Sequence, residues 1–248
     1  MKIFVWNSRS LLIGNIEELS FHSDRSCYLL SSLNSKNFEI RKENTSWESF
    51  HSVLIPKGLN IDLQGKDSLI AALSTDPKDL ENWLGSPSSG SFLNIGELGE
   101  KFQSISNKLY QCSENPEEQK SYLYELDSLL PPKFVPNATD PRIYSVTKKI
   151  SENLLENLSS SELAGLAGLS VSRLEHLFKE LVGISITEFR NWQRLKNATL
   201  AISQGENLTD AAHAAGFYDS AHYANSFKKA YGFFPSVFLN SQTKLYLF

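Results

Sequence analysis

The sequence predicts an α+β protein in two parts. A small antiparallel β-barrel with attached helices comes first, followed by an all-α region of two helix-turn-helix units joined by a long helix. Three observations predict it. Residues 1–76 hold short apolar runs divided by Asn, Ser, Gly and Lys. From Asp79 onward apolar residues recur at helical spacing. Between Ser159 and Phe238 one pattern of helix, glycine turn and helix is written twice.

In the first region Cys27–Leu30, Phe38–Ile40, His51–Ile55 and Leu69–Leu73 read as strands, with turns at Pro56-Lys57-Gly58 and Gly65-Lys66-Asp67. Short strands at this spacing suit a small barrel or sandwich. Next, Leu98, Phe102, Ile105 and Leu109 share one helix face, and Leu123, Leu126 and Leu130 another. Such a helix pair covers the β-structure, pairs with a second subunit, or does both. Ser86–Ser91 reads as a surface connection. Pro131 to Pro141 is a proline-rich, semi-rigid linker, because proline cannot continue a helix. The predicted organisation is therefore a domain over 1–130 (β-barrel to about 76, helices from about 77), a linker over 131–141, and a helical domain over 142–248. Ile143, Val146, Ile150 and Leu154 open the last on one helix face.

The repeat carries the most information. Its first copy has Leu163, Ala164, Gly168, Leu174, Phe178, Lys179 and Gly183; its second has Ala211, Ala212, Gly216, Tyr223, Phe227, Lys228 and Gly232. Ser159 with Glu162 forms a capping-box pattern, and Thr209 is the expected cap of the matching helix. Gly168 and Gly216 fall where a chain leaving a helix takes positive φ, which glycine adopts without a Cβ clash. Leu174, Leu177 and Phe178 must bury against the preceding helix, as must Tyr223 and Phe227, which leaves the opposite face of each helix free. Between the copies, Phe189, Trp192, Leu195, Ala198 and Ile202 mark a connector helix from about Thr187 to Ser203. Two such units reading one face of DNA must sit about one helical turn apart, roughly 34 Å.

Composition narrows the function classes. No apolar run is long enough to cross a bilayer. Met1-Lys2-Ile3-Phe4-Val5-Trp6 is too short and too soon polar for a signal peptide, so a cytoplasmic protein is expected. Cys27 and Cys112 are far apart and suit neither a disulfide framework nor a zinc site. His22 and His51 are isolated and read as structural histidines. Neither a nucleophile–base set nor a phosphate loop is present, so no catalytic residue, metal or cofactor is expected. The net charge of −4 is unevenly divided: residues 1–141 carry 13 basic and 19 acidic side chains (−6), and residues 142–248 carry 11 and 9 (+2). Nucleic-acid contact confined to the second part fits this division.

The motifs Leu163-Ala164, Gly168-Leu169-Ser170, Leu177-Phe178-Lys179, Arg194, Asp210-Ala211-Ala212, Gly216-Phe217, Phe227-Lys228 and Gly232-Phe233-Phe234-Pro235-Ser236 resemble the DNA-binding domain of the AraC/XylS family of bacterial transcription regulators. The resemblance covers about residues 142–240. Val53–Gly58 is similar to a turn in that family's cupin-like sensor domains, although Asn60 stands where many members carry a histidine. The resemblance implies promoter DNA as partner, with RNA polymerase, a small effector or a regulatory protein, and a second copy of the chain as further partners. It implies DNA-facing positions at Ser170, Ser172, Arg173, Glu175, His176 and Lys179 in the first unit. In the second they are Ser220, Ala221, His222, Ala224, Asn225 and Lys228. Arg173 reads as a phosphate anchor, while Lys179 and Lys228 set register on the backbone. His176 and Asn225 stand where members often have a base-reading arginine. Asparagine pairs with adenine, so an A·T preference is expected in the second half-site.

Three classes of function follow from these readings. The first is a sequence-specific regulator with a sensor domain, which accounts for the repeat, linker and charge division. The second is a DNA-binding protein whose N-terminal domain docks a partner protein with no small ligand. The third is a cupin-type enzyme fused to a DNA-binding unit, for which no constellation speaks.

Overall fold

The computed structural model describes residues 1–6, 9–22, 26–75, 92–130, 140–231, 234–238 and 243–248. The expected surface connection at Ser86–Ser91 lies outside the described residues, as does the linker apart from Asp140 and Pro141. The described chain forms two compact units, residues 1–132 with 227–248, and residues 133–226.

The first unit is built on two sheets. Strands β1 (Lys2–Trp6), β2 (Arg9–Asn15), β3 (Glu18–His22), β4 (Cys27–Ser32), β5 (Phe38–Lys42), β6 (Glu48–Phe50), β7 (Ser52–Ile55), β8 (Asn60–Gln64) and β9 (Leu69–Thr75) precede its helices. A last strand, β10 (Lys244–Leu247), follows all the helices of the chain. One sheet has six strands in the order β10-β1-β2-β9-β4-β7, and the other has four in the order β3-β8-β5-β6. Every pairing is antiparallel except that of β10 with β1.

Alternation explains how the larger sheet is covered. Phe4, Trp6, Leu11, Ile13, Leu29, Leu54, Ala71 and Leu73 point to one face. There they join Leu98, Phe102, Ile105 and Leu109 of α1 (Gly96–Gln111) and Leu123 and Leu126 of α2 (Pro116–Leu129). The helix pair therefore caps its own sheet. The alternate residues Ile3, Val5, Leu12, Leu30, Val53 and Ile55 are buried too, as are Phe38, Ile40, Ile61 and Leu63 of the smaller sheet.

Arg9 is buried within this core. Its Nη1 donates to Asp127 Oδ1 at 2.5 Å and its Nη2 to the Leu130 carbonyl at 2.5 Å. Trp6 Nε1 donates to the same Asp127 oxygen at 3.0 Å. A buried cation is tolerable only with such partners. Here it fastens the end of α2 to β2.

The second unit holds α3 (Pro141–Glu152), α4 (Ser160–Ala167), α5 (Val171–Val182), α6 (Ile186–Ser203), α7 (Leu208–Ala214) and the first part of α8 (Ser220–Tyr231). Ile143, Val146, Ile150 and Leu154 bury against Leu163, Ala164, Leu174, Leu177 and Phe178, with Phe189 of α6 edge-on to Phe178 at 5.6 Å. Around α7, Ala211, Ala212, Ala215, Phe217 and Tyr223 are buried, as are Leu195, Ala198, Thr199 and Ile202 of α6. Phe217 meets Tyr223 edge-on at 5.4 Å, and the Tyr223 hydroxyl lies 3.0 Å from Thr199 Oγ1.

Among the described residues, no helix is long and apolar enough to cross a membrane.

Candidate nucleic-acid interface

The two copies repeat in hydrogen bonds as well as in letters. At the end of α4, Leu169 N donates to Ala164 O at 2.9 Å and Gly168 takes φ +63°. At the end of α7, Phe217 N donates to Ala212 O at 2.9 Å and Gly216 takes φ +86°. Each is the left-handed closure that ends a helix and turns the chain into the next one.

Helices α5 and α8 then start alike. Ser170 Oγ accepts from Arg173 N at 3.3 Å, and Asp219 Oδ1 accepts from His222 N at 2.6 Å. Ser170, expected at the DNA face, thus has its hydroxyl committed to capping α5. Asp219 was not singled out from the sequence. Its signal was its place 49 residues after Ser170, the offset of the second helix.

Caps also correct one expectation. Ser159 and Glu162 form the capping box of α4, and Ser185 with Glu188 forms a second one on α6. Asn207, not Thr209, caps α7, accepting from the backbone of Thr209 and Asp210 at 3.1 and 2.9 Å. Asparagine ranks above threonine as an N-cap, and Thr209 itself sits inside the first turn.

Helix α6 joins the copies. Its 18 residues span about 27 Å at 1.5 Å per residue. Arg194 on α6 donates Nε and Nη2 to the Leu154 carbonyl at 3.1 and 2.8 Å, and Nη2 to Asn157 Oδ1 at 2.9 Å. Arg190 Nη2 donates to Leu158 O at 2.7 Å. Desolvation, and then Arg190, lowers the Arg194 pKa from its ordinary value. These arginines brace the loop after α3. A Cβ on Gly216 would stand 3.0 Å from both Arg194 Nε and Leu154 O, so the second turn rests on that brace.

The expected DNA-facing residues fall into two stripes. Ser172, Arg173, Glu175, His176 and Lys179 are all exposed on α5, opposite the buried Leu174, Leu177 and Phe178. On α8 Ala221, His222 and Asn225 are exposed, whereas Ser220, Ala224 and Lys228 are half-buried. The positions correspond at a constant offset: Ser172 with Ala221, Glu175 with Ala224, His176 with Asn225, and Lys179 with Lys228.

Two members of the second stripe are already engaged. Lys228 Nζ lies 4.3 Å from the Phe234 ring centroid, a cation–π contact of its ammonium group. The His222 ring stands edge-on to Phe217 at 5.3 Å and accepts a long bond from Tyr218 N at 3.5 Å on Nδ1. A neutral ring accepting there carries its proton on Nε2 and presents a donor. Sequence reasoning missed Tyr218, which is 84% exposed at the entrance to α8 and offers an apolar ring with a hydroxyl.

His51 is exposed, with its ring nitrogens 3.3 Å from Asn37 Oδ1 and 3.1 Å from Gln103 Nε2. Among the described residues no group of three or more His, Cys, Asp or Glu side chains is placed to hold a metal ion.

The chain is similar to several known proteins. The family described as "Helix-turn-helix domain" matches residues 163–241. The arabinose operon regulatory protein of Escherichia coli K12 is 33% identical over 114 residues, which is 45% of this chain and 37% of that protein. Its Salmonella typhimurium counterpart is 34% identical over 116 residues, 45% of this chain and 38% of that one. The chain thus spans well under half the length of these relatives. Among solved structures, an apo ToxT variant from Vibrio cholerae has a TM-score of 0.49 at 13% identity, covering 94% of this chain and 97% of that one.

Proposed function

We propose that the chain, whose residues 163–241 match a helix-turn-helix domain, is a sequence-specific, DNA-binding transcription regulator of the AraC type. Helices α5 and α8 enter two successive major-groove segments. The observation that carries this reading is the pair of stripes at matched positions on two helices, each behind an identically closed turn. Together with the connector α6, they supply two reading heads at a fixed separation.

The stripes suggest a division of labour. Arg173, Lys179 and Lys228 anchor phosphates and set register. His176 and Asn225 face base edges, with Asn225 suited to the N6 and N7 of adenine. Ala221 and Ala224 leave room for close approach and favour apolar contact with a thymine methyl. Tyr218 lies where the chain enters α8 and adds a contact to the sugar-phosphate backbone.

The unit built on the two sheets is the controlling part. It takes a small effector or a regulatory protein, and its state governs DNA binding by the helical unit. The chain acts non-enzymatically in the cytoplasm, as a homodimer on promoter DNA that engages RNA polymerase.

Selection from a random DNA pool by the full-length chain, read by sequencing, tests the reading. Two enriched blocks about one helical turn apart, with adenine opposite Asn225, are expected. Enrichment of no sequence would overturn it.

A further inference from the structure

We propose that His222 is the phosphate anchor of the second recognition helix, and that it holds DNA in its protonated form. The inference rests on the DNA-binding reading above and names the proton as a regulator of that same site.

The repeat supplies the first argument. At the offset that sets Asp219 against Ser170, His222 falls on Arg173. The two side chains start from the same place in local structure. Arg173 N donates to the Ser170 cap and His222 N to the Asp219 cap, so each is the third residue of its helix. Both are exposed, and each is followed by a buried residue, Leu174 or Tyr223. The site that Arg173 occupies as a phosphate anchor on α5 is therefore held on α8 by a histidine.

The two residues differ in one chemical respect. Arginine keeps its charge at every working pH, so the first head has a permanent anchor. In the first turn of α8, Ser220–Tyr223, His222 is the only side chain able to become a cation. Histidine ordinarily changes charge between about pH 5 and 8.

The ring is loosely held. Nδ1 accepts from Tyr218 N at 3.5 Å, the far limit of a hydrogen bond, so protonation forfeits little there. Around it stand the Phe217 ring, edge-on at 5.3 Å, and the Asp219 carboxylate, which takes the His222 N–H at 2.6 Å. Of the neighbouring elements, α7 carries the exposed His213 and Asp210, the latter bonded to Asn207. Helix α6 carries Lys196, placed over the Trp192 ring at 5.6 Å. A phosphate takes a shorter and stronger bond from a charged donor than from a neutral one, so bound DNA draws the proton in. A bound form holding one more proton than the free form makes affinity rise as pH falls, by at most about ten-fold per pH unit.

The test uses the full chain and fragments enriched by it, with affinity read by fluorescence anisotropy at several salt concentrations. Readings are taken at about pH 6 and about pH 8. The wild type is expected to bind about ten-fold tighter at the lower pH. Its salt slope should be larger there by about 1, the mark of one more phosphate contact. His222→Gln keeps a neutral donor and should bind alike at both pH values, with the smaller slope. His222→Arg should bind alike at both with the larger slope. His176→Gln and His213→Gln should keep the wild-type difference.

Equal wild-type affinity at the two pH values overturns the protonated anchor and leaves the DNA-binding reading standing. So does a difference that survives in His222→Gln, or one that disappears with His176 or His213 instead. A change in affinity with no change in salt slope overturns the phosphate assignment. If the wild type enriches no sequence at either pH, the DNA-binding reading falls and this inference with it.

Discussion

Replacing Gly216 by alanine separates backbone strain from the brace between α6 and the loop after α3. The residue sits at φ +86°, where an L side chain costs about 1–2 kcal/mol. Its new Cβ would lie 3.0 Å from Arg194 Nε and 3.0 Å from the Leu154 carbonyl oxygen. The guanidinium can swing away, but the carbonyl belongs to the backbone after α3 and cannot. Moving either one weakens two hydrogen bonds from a charged donor, together worth about 1.5–3 kcal/mol. The expected cost is therefore about 3 kcal/mol. Gly168→Ala is the control, because that glycine has φ +63° with nothing within 4 Å of the added Cβ. It should cost only the backbone strain, about 1 kcal/mol. Native-state hydrogen exchange of α4 and α6 amides in the full chain reads both values. In an Arg194→Met background the excess cost of Gly216→Ala should shrink, as coupled neighbours require. Equal costs at Gly216 and Gly168 would refute the claim that the second turn leans on the Arg194–Leu154 brace.

Asn225→Ala should relax the base preference at one position of the second half-site by about 1–3 kcal/mol, measured by competition between single-base variants of the selected DNA. Lys228→Ala should instead weaken all sequences alike and lower the salt slope by about 1. Arg9→Met leaves Asp127 with Trp6 Nε1 as its remaining side-chain donor in a nearly buried site. It should destabilise the sheet unit by about 3 kcal/mol in urea unfolding, and Asp127→Leu in the same chain should restore much of that. Asp140 caps α3, and the Arg142 side chain holds its carboxyl at about 2, below the ordinary 3.8. A lowered carboxyl pKa favours the folded cap above pH 3.8 and loses that contribution as pH falls through about 2. The Asp140 carbon resonance should titrate accordingly, with amide protection at the start of α3 fading over the same window.

What was legible in the sequence was whatever periodicity and local stereochemistry decide. The 48- and 49-residue offsets of the repeat reappear in the starts of α4 and α7, Ser160 and Leu208, and of α5 and α8, Val171 and Ser220. A glycine at a helix exit and a serine three residues before a glutamate act through neighbouring backbone alone, so Gly168, Gly216 and the Ser159–Glu162 box needed no tertiary knowledge. β1 and β2 were harder to read. Ile3, Phe4, Val5 and Trp6 form an unbroken apolar run, because β1 is covered on both faces and loses its alternation. Arg9 hid for the opposite reason. A lone arginine in a polar-looking start reads as surface, and only the fold brings Asp127 to it across 118 positions. β10 was illegible on principle: nothing local in Lys244–Leu247 announces a partner at the other end of the chain.

Two copies of one pattern have acquired unlike surroundings. The first copy buries Leu174, Leu177 and Phe178 wholly within the helical unit, so α5 is supported by residues adjacent in sequence. The second copy keeps the phenylalanine, Phe227 for Phe178, but has Tyr223 where the first has Leu174, and the Tyr223 hydroxyl meets Thr199 Oγ1 at 3.0 Å inside its core.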